Sequence, residues 1–301
     1  MKLVEVGTVA FDAIETPFGK TDKIIGGAAT YIGLAASLFL EESGLISVIG
    51  EDFPEDYINA MKSNGINLEG LETVPGGKSF FWSGRYHDNM NSRDTLITEL
   101  NVLEHFDPKV PDVFKNCEYL MLGNLSPEVQ MKVINQVEKP KLIALDTMNF
   151  WMDIAMEPLK EVIKKIDLLI INDEEARQLS GEYSLKTAAA VIRKMGPSNL
   201  IIKKGEHGAL LFHEDGLFCA PAIILDEVKD PTGAGDTFAG GLMGYLASTD
   251  DLSFANMKKA IIAGSAVASF TCEEFGTEKL FNITSEDVEK RMAEIMKLIT
   301  V

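Results

Sequence analysis

The pattern of hydrophobic and polar positions changes character along the chain. Leu3 to Gly7 and Leu45 to Gly50 are short apolar runs of strand length. Between them, Ala28 to Leu40 is small and apolar on most faces, which predicts a helix packed closely on a sheet. Pro54 stands near a helix start, and Glu55 to Asn64 keeps helical spacing up to Gly65. Leu71 to Leu100 differs. Ser79 to Ser83 and Thr95 to Thr98 are rich in aromatic and β-branched residues with polar turns between, which predicts strands outside the main sheet.

From Cys117 the pattern becomes regular. Glu118 to Leu122, Leu142 to Asp146, Leu168 to Ile171, Leu200 to Lys203 and Ala209 to Phe212 read as strands. Pro127 to Val137, Pro158 to Lys165, Asp173 to Leu179 and Leu185 to Met195 read as helices between them, and Gly240 to Ala247, Phe254 to Phe270 and Ser285 to Leu298 follow. Short apolar runs alternating with helices imply parallel β-α units, so the expected fold is a single three-layer α/β/α domain over residues 1–301. A small β-sheet made mainly from residues 8–25 and 74–100 is expected beside it. No internal repeat, low-complexity tract or linker breaks this order.

One stretch carries the most specific chemistry. Residues 230–241 run Asp-Pro-Thr-Gly-Ala-Gly-Asp-Thr-Phe-Ala-Gly-Gly, ahead of a helical pattern from Leu242. Gly233 and Gly235 permit a tight turn, and the helix that follows presents unpaired N–H groups and the positive end of its dipole. Such a loop cradles phosphate. A carboxylate beside a phosphate repels it, so Asp236 needs a reason, and taking a proton from a hydroxyl that attacks the phosphate is one. A Gly-rich turn with an ordinary first-turn acid is the other reading. No G-x-x-x-x-G-K-[S/T] occurs, and Phe238 occupies the third glycine position of a G-x-G-x-x-G.

Composition narrows the partners. The chain holds 28 Lys and Arg against 46 Asp and Glu, a formal net charge of −18, which argues against nucleic acid and anionic membrane. Three widely spaced cysteines, Cys117, Cys219 and Cys272, form neither a disulfide framework nor a zinc motif. His87, His105, His207 and His213 are scattered without metal-ligand spacing. Met1 to Ala10 shows no cleavable signal pattern and no apolar run approaches bilayer length, so a cytoplasmic location is the expectation.

At residues 230–241 the chain resembles the C-terminal signature of the ribokinase-like (PfkB) carbohydrate kinases, and the resemblance extends over nearly all of it. It implies a ribokinase-like domain with the small sheet as a lid over the main sheet's edge. It also implies ATP-dependent phosphorylation of a sugar, with Mg2+ as the metal and a homodimer joined through the lid. Asp236 would be the general base, with the N–H groups of Gly233, Ala234 and Gly235 as the anion hole and Thr232 on the nucleotide. Asn172 and Glu175 have capping-box spacing, but the family places magnesium and phosphate there, Glu175 acting through metal-bound water. Lys203, Lys204, Gly205 and Gly208 form either a plain hairpin or the family's nucleotide-side element, with Lys204, Gly205 and Gly208 assigned to the nucleotide. Ala263 and Gly264 would border the adenine.

On the acceptor side the family has an Asp at Asp12 and backbone close to the sugar at Gly26 and Gly27. Tyr31 stands where the ribokinase pattern has Asn, which counts against ribose. Arg85 and Asn149 complete the candidate acceptor contacts. A nucleoside kinase or phosphosugar kinase of the same fold, and a nucleotide or sugar sensor without turnover, are the alternatives. The cancelling charges of segment 76–99 and the net charge favour a neutral acceptor.

Overall fold

The computed structural model describes residues 1–300. Its first half runs β1 (Leu3–Val6), β2 (Ala10–Thr16), β3 (Gly19–Lys20), β4 (Ile24–Gly26), α1 (Ala28–Ala36), β5 (Ser43–Gly50), α2 (Glu55–Ser63), β6 (Ile66–Val74), β7 (Phe80–Tyr86), β8 (Arg93–Glu99), α3 (Asp112–Lys115), β9 (Tyr119–Leu122) and α4 (Pro127–Ile134). The second half runs β10 (Leu142–Asp146), α5 (Asn149–Ile154), α6 (Met156–Ile163), β11 (Leu168–Asn172), α7 (Asp173–Ser180), α8 (Leu185–Arg193), β12 (Asn199–Lys203), β13 (Ala209–His213), β14 (Gly216–Ala220), α9 (Ala234–Thr249), α10 (Phe254–Thr271) and α11 (Ser285–Ile299).

The main sheet has nine strands in the order β14-β13-β12-β11-β10-β9-β1-β5-β6, parallel from β12 to β6. Its parallel strands are buried on both faces, which is why they read as continuous apolar runs. Leu169 and Ile171 of β11 pack with Leu159, Ile163, Ala176 and Ile192 from α6, α7 and α8. Leu168 and Ile170 pack the other way, with Ile32 of α1, Leu242 and Leu246 of α9 and Ala260 of α10. The chain turns outward in one direction from β1 to β5 and β6, and in the other from β9 to β12. The β1/β9 boundary is therefore the switch point of the sheet, and ligands bind such sheets beyond the carboxyl ends of the strands.

A second sheet of five strands, β2, β3, β4, β7 and β8, sits beside this one. Leu71 to Val74 departs from expectation: it ends β6, which pairs along the edge of the main sheet from Ser43↔Ile66 to Gly50↔Val74. Within residues 71–100, the strands outside the main sheet begin only at Phe80. Among the described residues, no helix is long and apolar enough to cross a membrane.

Glu5 is an acid inside β1 with no exposed surface. Ser43 Oγ donates to its Oε1 at 3.1 Å, while Oε2 has no partner. Burial pushes this carboxyl up to about 8, with the Ser43 hydrogen bond pulling down. The folded state thus holds an extra proton between the ordinary carboxylate range and about pH 8, and stability falls as pH rises through that window. Glu5→Gln cannot ionise and is expected to fall less. Urea midpoints of both proteins at about pH 5 and about pH 8 check this; equal shifts in the two would remove Glu5 from the account.

Candidate active site

The stretch at residues 230–241 lies at the carboxyl edge of the main sheet. Asp230 is fully buried and braces it: its carboxylate accepts from Thr232 N–H at 2.9 Å and from Gly276 N–H at 3.0 Å. Gly233 caps α9 at φ 75°, the left-handed region where a side chain is strained. A Cβ there would also lie 2.4 Å from the Tyr31 ring. Helical bonding begins with Thr237 N–H donating to Gly233 O at 2.8 Å. Among the described residues, the N–H groups of Gly233 and Gly235 have no backbone acceptor. Ala234 departs from expectation, because its N–H closes the turn on Pro231 O at 3.2 Å. The N–H groups left open at this turn therefore include those of Gly233 and Gly235.

The cation of this loop is Lys203, where the sequence assignment was Lys204. Lys203 Nζ lies 2.7 Å from Asp146 Oδ2 and 3.0 Å from where a Cβ on Gly235 would stand. Strand alternation explains the one-residue correction. Lys203 is the last residue of β12, in register with Asn172 on β11, whereas Lys204 has left the strand. Burial alone would lower the Lys203 pKa, but the Asp146 and Glu175 carboxylates outweigh it, and the ammonium stays charged. Burial pushes Asp236 up to about 7, with the Asp146 charge adding to it and Lys203 and Arg93 opposing.

Asn172 and Glu175 open α7 as a complete capping box: Glu175 N–H donates to Asn172 Oδ1 at 2.8 Å and Asn172 N–H to Glu175 Oε2 at 2.7 Å. Burial pushes Glu175 up to about 7, with Lys203 pulling down. Its other oxygen, Oε1, is outside the box. Among the described residues, no group of three or more His, Cys, Asp or Glu forms a metal cage.

Asp12 sits on β2 of the second sheet, opposite Ile24 of β4, and its carboxylate covers Gly26, where a Cβ would lie 1.8 Å from Oδ2. Burial pushes Asp12 up to about 7, with Asp230 and Asp236 adding to it, while the Gly27 N–H and Arg93 oppose. Gly27 turns the chain into α1 at φ 92°. Tyr31, on α1, is 1% exposed, and its hydroxyl has no hydrogen-bond partner. Burial raises the Tyr31 phenol well above its ordinary range, and Asp12, Asp230 and Asp236 raise it further. Asp12, Tyr31, Asp230 and Asp236 thus form one neighbourhood between the two sheets. From above it, Tyr86 Oη on β7 is hydrogen bonded to Thr232 Oγ1 at 3.1 Å.

Other assignments fall away from this neighbourhood. Arg85 neighbours Tyr86 on β7 and so points to the opposite face of its sheet, where it is 55% exposed and pairs with Glu15 at 2.8 Å. Asn149 donates to Gln178 across the α5–α7 contact. Ala263 and Gly264 are fully buried inside α10, and a Cβ on Gly264 would meet Phe238 O of α9 at 2.6 Å. Gly264 thus packs α10 against α9. Gly208 closes the β12–β13 hairpin against Ala220, while Gly205 is exposed beside Asn91 of the second sheet.

A phosphate-cradling helix start, a buried acid in its first turn and a lysine beside its glycines together suit phosphoryl transfer. Residues 3–283 match the pfkB family carbohydrate kinase pattern. The chain belongs to that family. The kinase is 30% identical over 253 residues to a cytidine kinase of Thermococcus kodakarensis, covering 81% of this chain and 88% of that one. It is 26% identical to a nucleoside kinase of Methanothermobacter thermautotrophicus, over 97% and 96% of the two chains. Among solved structures, the nucleoside kinase of Methanocaldococcus jannaschii superposes with a TM-score of 0.79 at 22% identity, over 98% of this kinase and 99% of that chain. Arabidopsis thaliana ribokinase, complexed with ribose and ATP, gives 0.78 at 18% identity, over 97% and 98%. The two structures establish the ribokinase-like fold, and the family makes the activity ATP-dependent phosphorylation.

Proposed function

We propose that this kinase phosphorylates a hydroxyl of a nucleoside, with Asp12 gripping the sugar and Asp236 as general base. The observation that carries the proposal is the burial of Asp12 and Asp236 together beside the Gly233–Gly235 turn, each pushed up to about 7. One carboxylate can accept two hydrogen bonds from adjacent sugar hydroxyls, and the other can take the proton of the attacking one. The N–H groups of Gly233 and Gly235, with Lys203, would stabilise charge on the phosphoryl group. Thr232 and the Gly205 turn would border the nucleotide. The second sheet would act as a lid that excludes water, the competing acceptor.

The donor set suits magnesium arriving with the nucleotide. Magnesium takes one or two carboxylates and fills its shell with water and phosphate oxygens. Glu175, with one oxygen outside its capping box, would hold it through water. Bound there, the ion would neutralise charge on the phosphate oxygens.

A nucleoside is favoured over a free sugar by the names of the two curated relatives and by Trp82. Trp82 is in register with Asp12 across β2 and β7 and shares its face of the lid. Its ring lies over Gly84, where a Cβ would be 2.1 Å away, and its Nε1 donates to Thr95 Oγ1 at 3.3 Å. That is a held aromatic wall beside the sugar grip, suited to stack a base. A phosphorylated acceptor is disfavoured, because Arg85 is committed to Glu15 and the acceptor side is acidic. A homodimer through the lid belongs to the same proposal: β8 is the lid's edge, with Leu96 and Ile97 each 47% exposed. Light scattering that finds only monomer removes that part.

The test is a coupled assay for ADP with nucleosides, free pentoses and phosphorylated sugars. Nucleosides should show the highest kcat/KM. Asp12→Ala should raise the acceptor KM by about 10- to 100-fold and leave that of ATP nearly unchanged. Trp82→Ala should raise KM for nucleosides by at least about fivefold but not for ribose. A phosphorylated sugar outcompeting every neutral acceptor would overturn the proposal, as would a Trp82→Ala effect equal for ribose and nucleosides.

A further inference from the structure

We infer that Arg93, the first residue of β8, is a catalytic residue that the lid places on the transferring phosphoryl group. The register of β7 and β8 sets Arg93 directly opposite Tyr86. Residues opposite each other in an antiparallel pair project from the same face. Tyr86 is buried on that face and its hydroxyl meets Thr232, so this face covers the phosphate loop. Arg93 therefore starts its strand directly above the loop, while Arg85, opposite Asp94, faces the other way.

The lid also reaches the nucleotide side. Asn91, two residues before Arg93, lies at the tip of the turn joining β7 to β8. Its Oδ1 is 3.0 Å from where a Cβ on Gly205 would stand. The start of β8 thus sits between the phosphate loop and the β12–β13 turn. The positive charge of Arg93 is felt at Asp12, at Asp236 and at Glu175, three carboxylates that mark the acceptor, the base and the nucleotide side. Arg93 is thus within electrostatic reach of all three.

Arg93 is also uncommitted. Among the described residues it makes no ion pair within 4.0 Å, in a chain of net charge −18 that pairs Arg85, Arg177 and Arg291 with acids. Its guanidinium carbon lies 5.6 Å from the Trp82 ring centroid. An unpaired guanidinium held over a phosphate loop matches the oxygens of a phosphoryl group with two parallel hydrogen bonds. In the step it assists, the acceptor oxygen bonds to the γ-phosphorus while the bond from that phosphorus to the β,γ-bridging oxygen breaks. The bond's electron pair leaves with ADP, and the hydroxyl proton passes to Asp236. Arg93 would hold the equatorial oxygens as their charge is redistributed and would add nothing to the ground-state grip on the sugar.

This inference rests on the kinase activity and not on the nature of the acceptor, so it is measured with whichever acceptor has the highest kcat/KM. Arg93→Ala should lower kcat by on the order of 10²–10³-fold, with the KM values for ATP and acceptor within about threefold. Wild type should form a tight complex with acceptor, ADP and aluminium fluoride, and Arg93→Ala should not. Arg93→Lys, which keeps charge without the fork, should recover less than about a tenth of the lost rate. Because β8 is exposed along its length, the melting temperature should barely move. A kcat within about fivefold of wild type, an unchanged affinity for the aluminium fluoride complex, or a loss confined to acceptor KM would each overturn the inference.

Discussion

Asp236→Asn is expected to lower kcat by about 10²–10⁴-fold while ATP still binds. The substitution keeps the shape at the start of α9 and removes the first-turn carboxylate that would accept the hydroxyl proton. The pH profile gives a second, independent readout. Burial raises Asp236 to about 7, with Asp146 adding, so the base is increasingly protonated below that pH. The wild-type rate should therefore climb through neutrality and level off above it, and Asp236→Asn should lose that limb. Calorimetric titration with ATP separates lost chemistry from lost binding. Near-wild-type turnover, or an unchanged acid limb on a reduced rate, would remove Asp236 from the role of base.

Lys203→Met should produce the second large loss, and it should divide into two parts. Lys203 is 16% exposed and its partner Asp146 only 7%. Removing one member of a buried pair leaves the other uncompensated, which costs about 3–5 kcal/mol. The ammonium is also a positive charge held beside Gly235, so the KM for ATP should rise by at least about tenfold. The double variant Lys203→Met with Asp146→Asn separates the parts. It should regain most of the stability, because no unpaired charge remains, yet keep the raised KM. Urea unfolding and ATP kinetics on the two variants provide the check. Recovery of both together would make Lys203 a structural residue alone.

What the sequence made legible was local. The 230–241 stretch announced a tight turn into a helix with an acid in its first turn, because its glycines, its acid and its helix are contiguous. The alternation of apolar runs and helices from Cys117 onward announced the layers. Asn172 and Glu175 could be named because a capping box has a fixed spacing, and the structure forms that box completely.

What stayed hidden depends on which face a strand shows. Lys203 and Lys204 are equivalent in the sequence, but only the last residue of β12 is held in register with Asn172 and turned toward Asp146. Arg85 and Arg93 both belong to the second sheet, and their opposite orientations follow from the hairpin register that sets Arg93 opposite Tyr86 and Arg85 opposite Asp94, which no periodicity reveals. The brace from Asp230 to Gly276 joins segments 46 residues apart. Gly264 shows the converse: a small residue on a helix reads equally as room for a flat ring or for another helix, and in the structure the α9 backbone at Phe238 lies against it.

The most direct test of the central claim is a competition followed by phosphorus NMR. The kinase is given ATP, magnesium and equal concentrations of a nucleoside and free ribose, and the products are followed as they form. The expected result is a nucleoside phosphate monoester accumulating mole for mole with ADP, while ribose stays unphosphorylated until the nucleoside is spent. Ribose phosphate appearing first, or ADP released with inorganic phosphate at the same rate whether or not the nucleoside is present, would contradict it.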